Sequence, residues 1–292
     1  MIYYSAKKEN GDNMKLSVFY DHVLDAAKTQ RCSIQDMLKT IKGFGYTAVE
    51  CNHEHIAEDP AGFRTFLSQH GLQISCVCKW FNFGPGFDNT QIETFLNDCA
   101  AAQVKTVLVI PGLFAKDMDR EKQTQNMLCA LQCLCEKAEK LGIVVTLEDL
   151  DQIQTPFATQ QQLSDVFGQI PALKFTCDTG NFYYHGIDLL PAFEKLQDRL
   201  VHVHLKDRSL KRLTPGDQGT QTPDGKTIFP APTGSGVIPM REFLNTVLQT
   251  GYTGYFTVEH YGAANQLDFM QKSAGWMLDF IKSDEKAKTQ SV

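Results

Sequence analysis

The chain lacks any hydrophobic run that could cross a membrane, since a spanning helix needs about 20 consecutive apolar residues. Residues 1–13 are polar and lack the apolar centre of a secretory signal. Basic residues are also the minority, because 28 Lys and Arg stand against 34 Asp and Glu, for a net charge of −6. Without a basic stripe to bind phosphates, nucleic acid is not indicated as a partner. We expect a protein that binds neither a membrane nor a nucleic acid.

The cysteines lack the spacing of a disulfide framework, and no Cys-x-x-Cys pair is present. There are nine of them, an odd number, and Cys76 and Cys78 share one face of a predicted strand. This pattern is typical of reduced thiols, so we expect a reducing, cytoplasmic location. A glycine-rich phosphate cradle is also missing, so the sequence does not indicate a phosphorylated substrate.

Strand-like and helix-like segments alternate along the chain, which is typical of a parallel sheet wrapped by helices. We expect an α/β fold with a single (β/α)8 TIM barrel over residues 14–282, an N-terminal extension at 1–13 and a flexible C-terminal tail at 283–292. Met14 would also serve as a translation start. The predicted strands are 16–20, 47–51, 73–79, 106–110, 144–148, 174–178, 201–204 and 255–259. The predicted helices are 33–43, 62–70, 90–103, 120–141, 159–168, 189–197, 240–250 and 267–281.

One long irregular stretch, residues 208–232, is rich in Gly, Pro, Thr and Asp. It follows the seventh predicted strand and therefore lies on the C-terminal face of the barrel, where active sites of this fold form. Long loops within compact domains are usually lids or binding loops. The alternative interpretation is a disordered surface insertion.

The last four predicted strands each end in a side chain that can bind a metal. Alternation along a strand places every second side chain on the same face, and each of these residues falls on the more polar face. In the seventh strand, for example, His202, His204 and Lys206 share a face opposite Val201 and Val203. The sequence therefore predicts a metal site at the mouth of the barrel, built from Glu148, Asp178, His204 and Glu259.

Three carboxylates facing the interior need a cation, because buried unpaired charges are costly. Oxygen ligands with one imidazole suit Mn²⁺ best, and Mg²⁺, Co²⁺ or Zn²⁺ are also compatible. Glu50 and Trp80 end the second and third strands, and Lys206 shares the inward face with His204. We expect these three side chains to contact the substrate.

Several motifs resemble the xylose isomerase-like TIM barrels, which include sugar-phosphate isomerases and epimerases, ketose 3-epimerases, inositol-catabolism proteins and endonuclease IV. The segment Val201-His202-Val203-His204-Leu205-Lys206-Asp207 resembles the family's seventh strand, and Asp178-Thr179-Gly180 resembles its sixth. Two further matches are Gly234-Ser235-Gly236-Val237-Ile238 and Gly251-Tyr252-Thr253-Gly254 leading to Val258-Glu259. The resemblance covers nearly the whole chain after Met14.

The resemblance implies a metal-dependent isomerase or epimerase of a sugar, sugar phosphate or keto-polyol. The matching residues Glu148, Asp178, His204 and Glu259 would hold one divalent ion that chelates an open-chain ketose and stabilises an enediolate. In the 3-epimerases of this family the two glutamates exchange the proton, so Glu148 and Glu259 would be the acid and base. Family members are often homodimers or homotetramers.

The chain also departs from the epimerase pattern. Many epimerases carry a histidine three residues after the strand-six aspartate, and this chain has Asn181 there, with His185 nearby. Arg208 lies close to the position of the family's substrate arginine, at a shorter spacing. We expect Asn181, His185 and Arg208 to bind the substrate.

Three alternatives remain open. The same site would support dehydration of a keto-inositol or β-elimination from a 3-keto-glycoside, because both begin with enolisation. An endonuclease IV-like enzyme needs further histidines, and this chain offers only Asn52, His53 and Lys79 in those regions. A non-catalytic sugar-binding barrel is the third.

Overall fold

In the computed structural model, which describes the backbone of residues 14–290 and the side chains of residues 14–283, eight parallel strands close into a barrel. The predicted (β/α)8 barrel is therefore confirmed. The barrel strands are β1 (Lys15–Phe19), β2 (Ala48–Asn52), β3 (Gln73–Trp80), β4 (Thr106–Ile110), β5 (Val144–Glu148), β6 (Lys174–Asp178), β7 (Leu200–Leu205) and β11 (Tyr255–Val258). Three further strands, β8 (Asp207–Ser209), β9 (Thr220–Gln221) and β10 (Thr227–Ala231), form a separate antiparallel sheet.

Helices surround the barrel and bury an apolar layer against the outward faces of its strands. The helices are α1 (Tyr20–Gln30), α2 (Ile34–Phe44), α3 (Pro60–Gln69), α4 (Asn89–Ala101), α5 (Arg120–Lys140), α6 (Gln160–Gln169), α7 (Thr179–Tyr184), α8 (Leu189–Leu196), α9 (Met240–Gln249) and α10 (Gln266–Gln290). Short 3₁₀ turns occupy His53–His55 and Gln197–Arg199.

Two helices were not predicted from the sequence. Helix α1 buries His22, Ala26 and Ala27, which are polar or small and so give a weak hydrophobic pattern. Helix α7 has only six residues, and its N-terminus is capped by Asp178, whose Oδ1 accepts hydrogen bonds from Gly180 and Asn181.

The division of the chain into extension, barrel and tail stays a prediction. The N-terminal extension at 1–13 lies outside the described residues. Helix α10 continues to Gln290 and so runs beyond residue 281, where the sequence pattern ended the last helix. No helix among residues 14–290 is long and apolar enough to cross a membrane. Within the described residues the nine cysteines are unpaired, as expected for a reduced protein.

Part of the barrel interior below the site is polar and hydrogen-bonded. The Ser17 and Ser75 hydroxyls lie 2.7 Å apart, and Thr176 Oγ1 donates to Thr146 Oγ1 at 2.7 Å. Since these side chains satisfy one another, the inward face can carry polar groups up to the strand ends.

The segment after β7, residues 207–231, is ordered across the C-terminal face of the barrel, and we call it the strap. Its sheet has the order β8-β10-β9. Gln218 N donates to Gly262 O at 2.8 Å, and Asp217 Oδ1 accepts from Ala264 N at 2.9 Å. The interpretation as a disordered insertion is therefore wrong, and the strap covers part of the site.

The base of the strap is fastened by the buried carboxylate of Asp207. Asp207 Oδ2 accepts from the backbone N–H groups of Gly234 and Gly236, both at 2.9 Å. Asp207 Oδ1 accepts from Arg208 N at 2.8 Å and Ile238 N at 3.2 Å. These bonds fix the backbone on both sides of the strap.

We expect Gly236→Ala to destabilise the protein by about 1–3 kcal/mol, the usual cost of overpacking. A Cβ at Gly236 would overlap the Asp207 carboxylate and the Arg208 carbonyl oxygen. Thermal or urea unfolding measures the change. Gly43→Ala in α2 is the matched control, because its Cβ meets nothing within 4 Å. Equal stability of the two variants would contradict the fastening role of Asp207.

Candidate metal and active site

Four ligand-type side chains meet at the C-terminal mouth of the barrel. Glu148 ends β5, Asp178 ends β6, His204 lies in β7, and Glu259 directly follows β11. The sheet register places Asp178 beside His204 and Thr257 on the other side of His204. All four residues are buried, with exposed fractions of 7% or less.

His204 Nδ1 is the point on which the carboxylates converge. It lies 3.1 Å from Glu148 Oε2, 3.4 Å from Glu259 Oε2 and 3.7 Å from Asp178 Oδ2. The ligand atoms of Glu148, Asp178 and His204 all lie within 4.8 Å of one another. One small cation could therefore contact the ligand atoms of these three residues with little rearrangement.

The carboxylates are crowded and buried, and the pKa values of the site residues are shifted as a result. Burial raises the pKa of Glu259 to about 7, the Asp178 and Glu148 charges add to the rise, and Lys206 and His204 oppose it. Burial likewise raises the pKa of Glu148. Burial alone would lower the pKa of His204, but the surrounding carboxylates, Glu50 first, raise it well above its usual value.

These residues fit a divalent ion. Asp178 Oδ2 is buried and has no hydrogen-bond partner among the described residues, so it is free to act as a ligand. Three carboxylates with one imidazole nitrogen match Mn²⁺, Mg²⁺, Co²⁺ or Zn²⁺. With a doubly charged ion and the Lys206 ammonium, the three carboxylate charges of this site would be balanced.

Lys206 supplies the cationic side of the site. Its Nζ lies 2.7 Å from Glu259 Oε1, 3.3 Å from Asp151 Oδ2 and 3.7 Å from Asp178 Oδ2. The neighbouring Arg208 donates to Asp151 Oδ2 at 3.0 Å. Because Lys206 is only 6% exposed, its charge acts at short range inside the site.

Glu50 lies beneath the four ligand-type side chains and does not line the cavity that opens above them. It is fully buried, and its two carboxylate oxygens each lie 3.1 Å from His204 Nε2. Its Oε2 also accepts from His202 Nε2 at 2.7 Å. This placement argues against the expected substrate contact. A carboxylate on the far nitrogen instead fixes the ring and leaves Nδ1 to bind a metal.

We therefore expect Glu50→Gln to weaken metal binding by about 10–100-fold, the usual effect of removing such a partner. The measurement is a calorimetric titration of metal-depleted protein with Mn²⁺. Glu54→Gln is the control, because Glu54 lines the cavity mouth but is exposed. An unchanged Mn²⁺ affinity in folded Glu50→Gln protein would contradict this role.

A cavity of about 590 Å³ opens above the cluster. Glu148, His204, Lys206 and Glu259 lie at its polar end. Aromatic side chains line its walls, and the strap contributes Gln218, Gly219 and Thr220. A cavity of this size and mixed lining is typical of small-molecule sites. The aromatic lining residues are Phe19, Trp80 and Tyr261.

The six predicted substrate residues divide into two groups. Lys206, Arg208 and Trp80 line the cavity. Glu50, Asn181 and His185 do not. Asn181 is buried behind Lys206, and its Oδ1 accepts from Lys206 Nζ at 2.8 Å, so it orients that lysine. His185 Nε2 lies 2.8 Å from the Leu150 carbonyl oxygen and supports the loop after β5.

Asp151, Gln218 and Tyr261 are among the cavity residues that the sequence prediction missed. Asp151 follows the end of β5 by three positions, and Tyr261 follows Glu259 by two. A search of the residues just beyond each metal ligand would have found both. Gln218 carries no such signal, because only the folded strap brings it over the cavity.

Known proteins resemble the chain in sequence and in structure. Fructoselysine 3-epimerase from Escherichia coli O157:H7 is 29% identical over 133 residues, covering 43% of this chain and 42% of that protein. The chain thus spans less than half the length of that curated relative. Inosose dehydratase from Serratia proteamaculans (strain 568) is 25% identical over 287 residues, covering 86% of this chain and 91% of that protein.

Among solved structures, the probable 3-DHS dehydratase from Bacillus anthracis has a TM-score of 0.70 at 17% identity, covering 91% of this chain and 99% of that one. The 3-keto-D-glucoside 4-epimerase from E. coli also has a TM-score of 0.70, at 16% identity, covering 91% and 100%. Identities this low show the fold alone. The model of the xylose isomerase-like TIM barrel family matches residues 38–280, and the chain therefore belongs to that family.

Proposed function

We propose that this protein is a divalent-metal-dependent epimerase or isomerase of a sugar or keto-polyol. The observation that carries the proposal is the placement of Glu148 and Glu259. They come from strands on opposite sides of β7, and both face His204 Nδ1 at the floor of one cavity. Two carboxylates that face each other across a bound ketose can exchange a proton on its two faces.

Glu148, Asp178, His204 and Glu259 would hold the ion. When bound, it supplies Lewis-acid polarisation of the substrate carbonyl and so acidifies the adjacent C–H bond. One glutamate then removes that proton, and the other returns a proton to the opposite face. Each glutamate would keep one carboxylate oxygen free of the ion, and that oxygen can accept or donate the proton.

The remaining cavity residues would bind and orient the substrate. Lys206 can donate to a substrate oxygen, because its ammonium is held in place by Asn181 and Glu259. Arg208 is fixed by Asp151 on the same wall. Trp80 offers an aromatic face, which suits the apolar side of a sugar.

A dehydratase is the second candidate, and one observation favours it. One relative that aligns over most of its own length is an inosose dehydratase. In that reaction one glutamate would again remove the proton beside the carbonyl. The other would donate its proton to the departing hydroxyl, which leaves as water. The same carboxylate pair serves both reactions, so geometry alone does not separate them.

NMR in D₂O with the Mn²⁺-loaded protein tests the proposal against a panel of ketoses and keto-inositols. The proposal expects deuterium at the carbon beside the carbonyl, together with the inverted epimer or isomer. Exchange accompanied by an unsaturated ketone would instead assign the dehydratase. If no member of the panel exchanges, while chelated protein gives the same spectra, both candidates are wrong.

A further inference from the structure

A second cavity, of about 460 Å³, lies between the end of β3 and helix α4. Trp80 lines both this cavity and the one above the candidate metal ligands, so the two adjoin at this residue. Trp80 is 51% exposed, which is unusual for so large an apolar side chain. The polar lining of the second cavity comes from His53, Lys79, Asn82, Thr90, Gln91 and Thr94.

Lys79 is held by a chain of hydrogen bonds that reaches α4. Its ammonium donates to His53 Nδ1 at 2.8 Å, and His53 Nε2 donates to Asp98 Oδ2 at 2.8 Å. His53 is only 6% exposed, so its ring is buried between Lys79 and Asp98.

The Lys79 charge has no carboxylate partner within ion-pair distance among residues 14–283. Its Nζ lies 5.5 and 5.9 Å from the ring centroids of Phe81 and Phe95, which stabilise a cation but accept no strong hydrogen bond. An ammonium has three donors, and His53 takes one of them. Asp98 contacts the far nitrogen of His53 and does not line the cavity.

Lys79 is the one Lys, Arg, Asp or Glu side chain among the described residues that line this cavity. Amide and hydroxyl groups surround it, so the cavity can solvate an anion without supplying a competing carboxylate. A single ammonium matches a singly charged group. A phosphate would need more, because phosphate sites usually combine several backbone N–H groups with the cation.

We propose that the second cavity is a subsite for a carboxylate-bearing substituent of the substrate. The proposal rests on the proposed function, which places the reacting ketone in the adjoining cavity. Lys79 binds the carboxylate, His53 and Asp98 hold the ammonium in place, and Trp80 packs against the part of the substrate that joins the two cavities. The favoured substrate is then a keto-sugar acid or a ketose conjugated to an acidic group.

Calorimetry with the Mn²⁺-loaded protein tests the subsite, with D-fructose, D-fructuronate and acetate as probes. We expect wild type to bind fructuronate at least about tenfold more tightly than fructose, as one charge-assisted hydrogen bond would give. Lys79→Met should remove this preference. Lys105→Met is the matched control, because Lys105 is exposed at the opposite end of the barrel, just before β4, and should keep it.

Equal wild-type affinities for fructose and fructuronate, or a preference that survives Lys79→Met, would overturn the subsite. Acetate binding as tight as that of fructuronate would also overturn it, because the site would then serve a free anion. The affinity ratio needs no turnover. A failure of the subsite is therefore distinguishable from a failure of the proposed function, which shows as missing deuterium exchange in wild type.

Discussion

Replacing Glu148 by Gln should lower the rate of deuterium exchange into a reactive ketose by a factor of about 10²–10⁴, the usual contribution of a positioned acid or base. The amide keeps the size of the side chain and one oxygen near His204 Nδ1, which the Glu148 carboxylate approaches to 3.1 Å. It cannot take up a proton at neutral pH, so the transfer on that face is lost. The rate is followed by NMR in D₂O at saturating Mn²⁺.

Glu54→Gln is the control for this experiment, because it removes a carboxylate from the same cavity without touching the metal ligands. Glu259→Gln provides the comparison on the other face. If the two glutamates serve opposite faces, each single variant should slow exchange most for a different epimer of the substrate. A Glu148→Gln protein that is folded, binds Mn²⁺ and exchanges at the wild-type rate would show that Glu148 is not a proton carrier.

Replacing Lys206 by Met should destabilise the metal-free protein by about 3–5 kcal/mol, as expected when one partner of a buried ion pair is removed. The ammonium lies within 4 Å of Glu259, Asp178 and Asp151. Within the described residues each of these carboxylates has one other basic neighbour at that range, which is His204 for Glu259 and Asp178 and Arg208 for Asp151. Met has a similar apolar stem, so the loss is mainly one of charge. For a chain of this size the melting temperature should fall by about 6–10 °C.

Bound Mn²⁺ should restore much of this loss, because its charge replaces the missing ammonium beside the carboxylates. The measurement is thermal unfolding with chelator and with Mn²⁺. Lys272→Met is the control, since Lys272 forms an exposed pair with Asp268 at 2.8 Å, and such pairs contribute little. If the Lys206→Met variant and wild type had the same melting temperature in chelator, the Lys206 ammonium would not be the group that stabilises the crowded carboxylates.

The barrel, and the meeting of four ligand-type side chains at its mouth, could be predicted because both depend on local rules. Strand alternation decides which side chains face inward, and the fold decides that strand ends meet at one mouth. These two rules bring Glu148, Asp178, His204 and Glu259 to one mouth, and they also place Glu50 on the inward face. They act over a few residues each and need no knowledge of how distant segments pack.

The role of Glu50 could not be predicted in this way. Strand alternation predicts that its side chain faces the inside of the barrel, which suggests a cavity residue. Closure of the barrel, however, places His204, which is 154 positions away in the sequence, directly above it. The same holds for the pairing of Lys79 with His53 and Asp98, which depends on how α4 packs beside β3. The strap is a third case, because its sheet forms between strands of only two to five residues that are separated by irregular segments.

The most direct test of the metal site is a calorimetric titration of metal-depleted wild type and Asp178→Asn with Mn²⁺. The amide of the variant keeps an oxygen to cap α7, where Asp178 Oδ1 accepts from Gly180 N at 2.8 Å, so the fold should survive the change. The substitution removes the charge that faces the other ligands. A metal site built from Glu148, Asp178, His204 and Glu259 predicts one bound Mn²⁺ per wild-type chain. It also predicts that the variant binds Mn²⁺ at least about tenfold more weakly. No saturable Mn²⁺ binding by wild type, or equal binding by the folded variant, would contradict it.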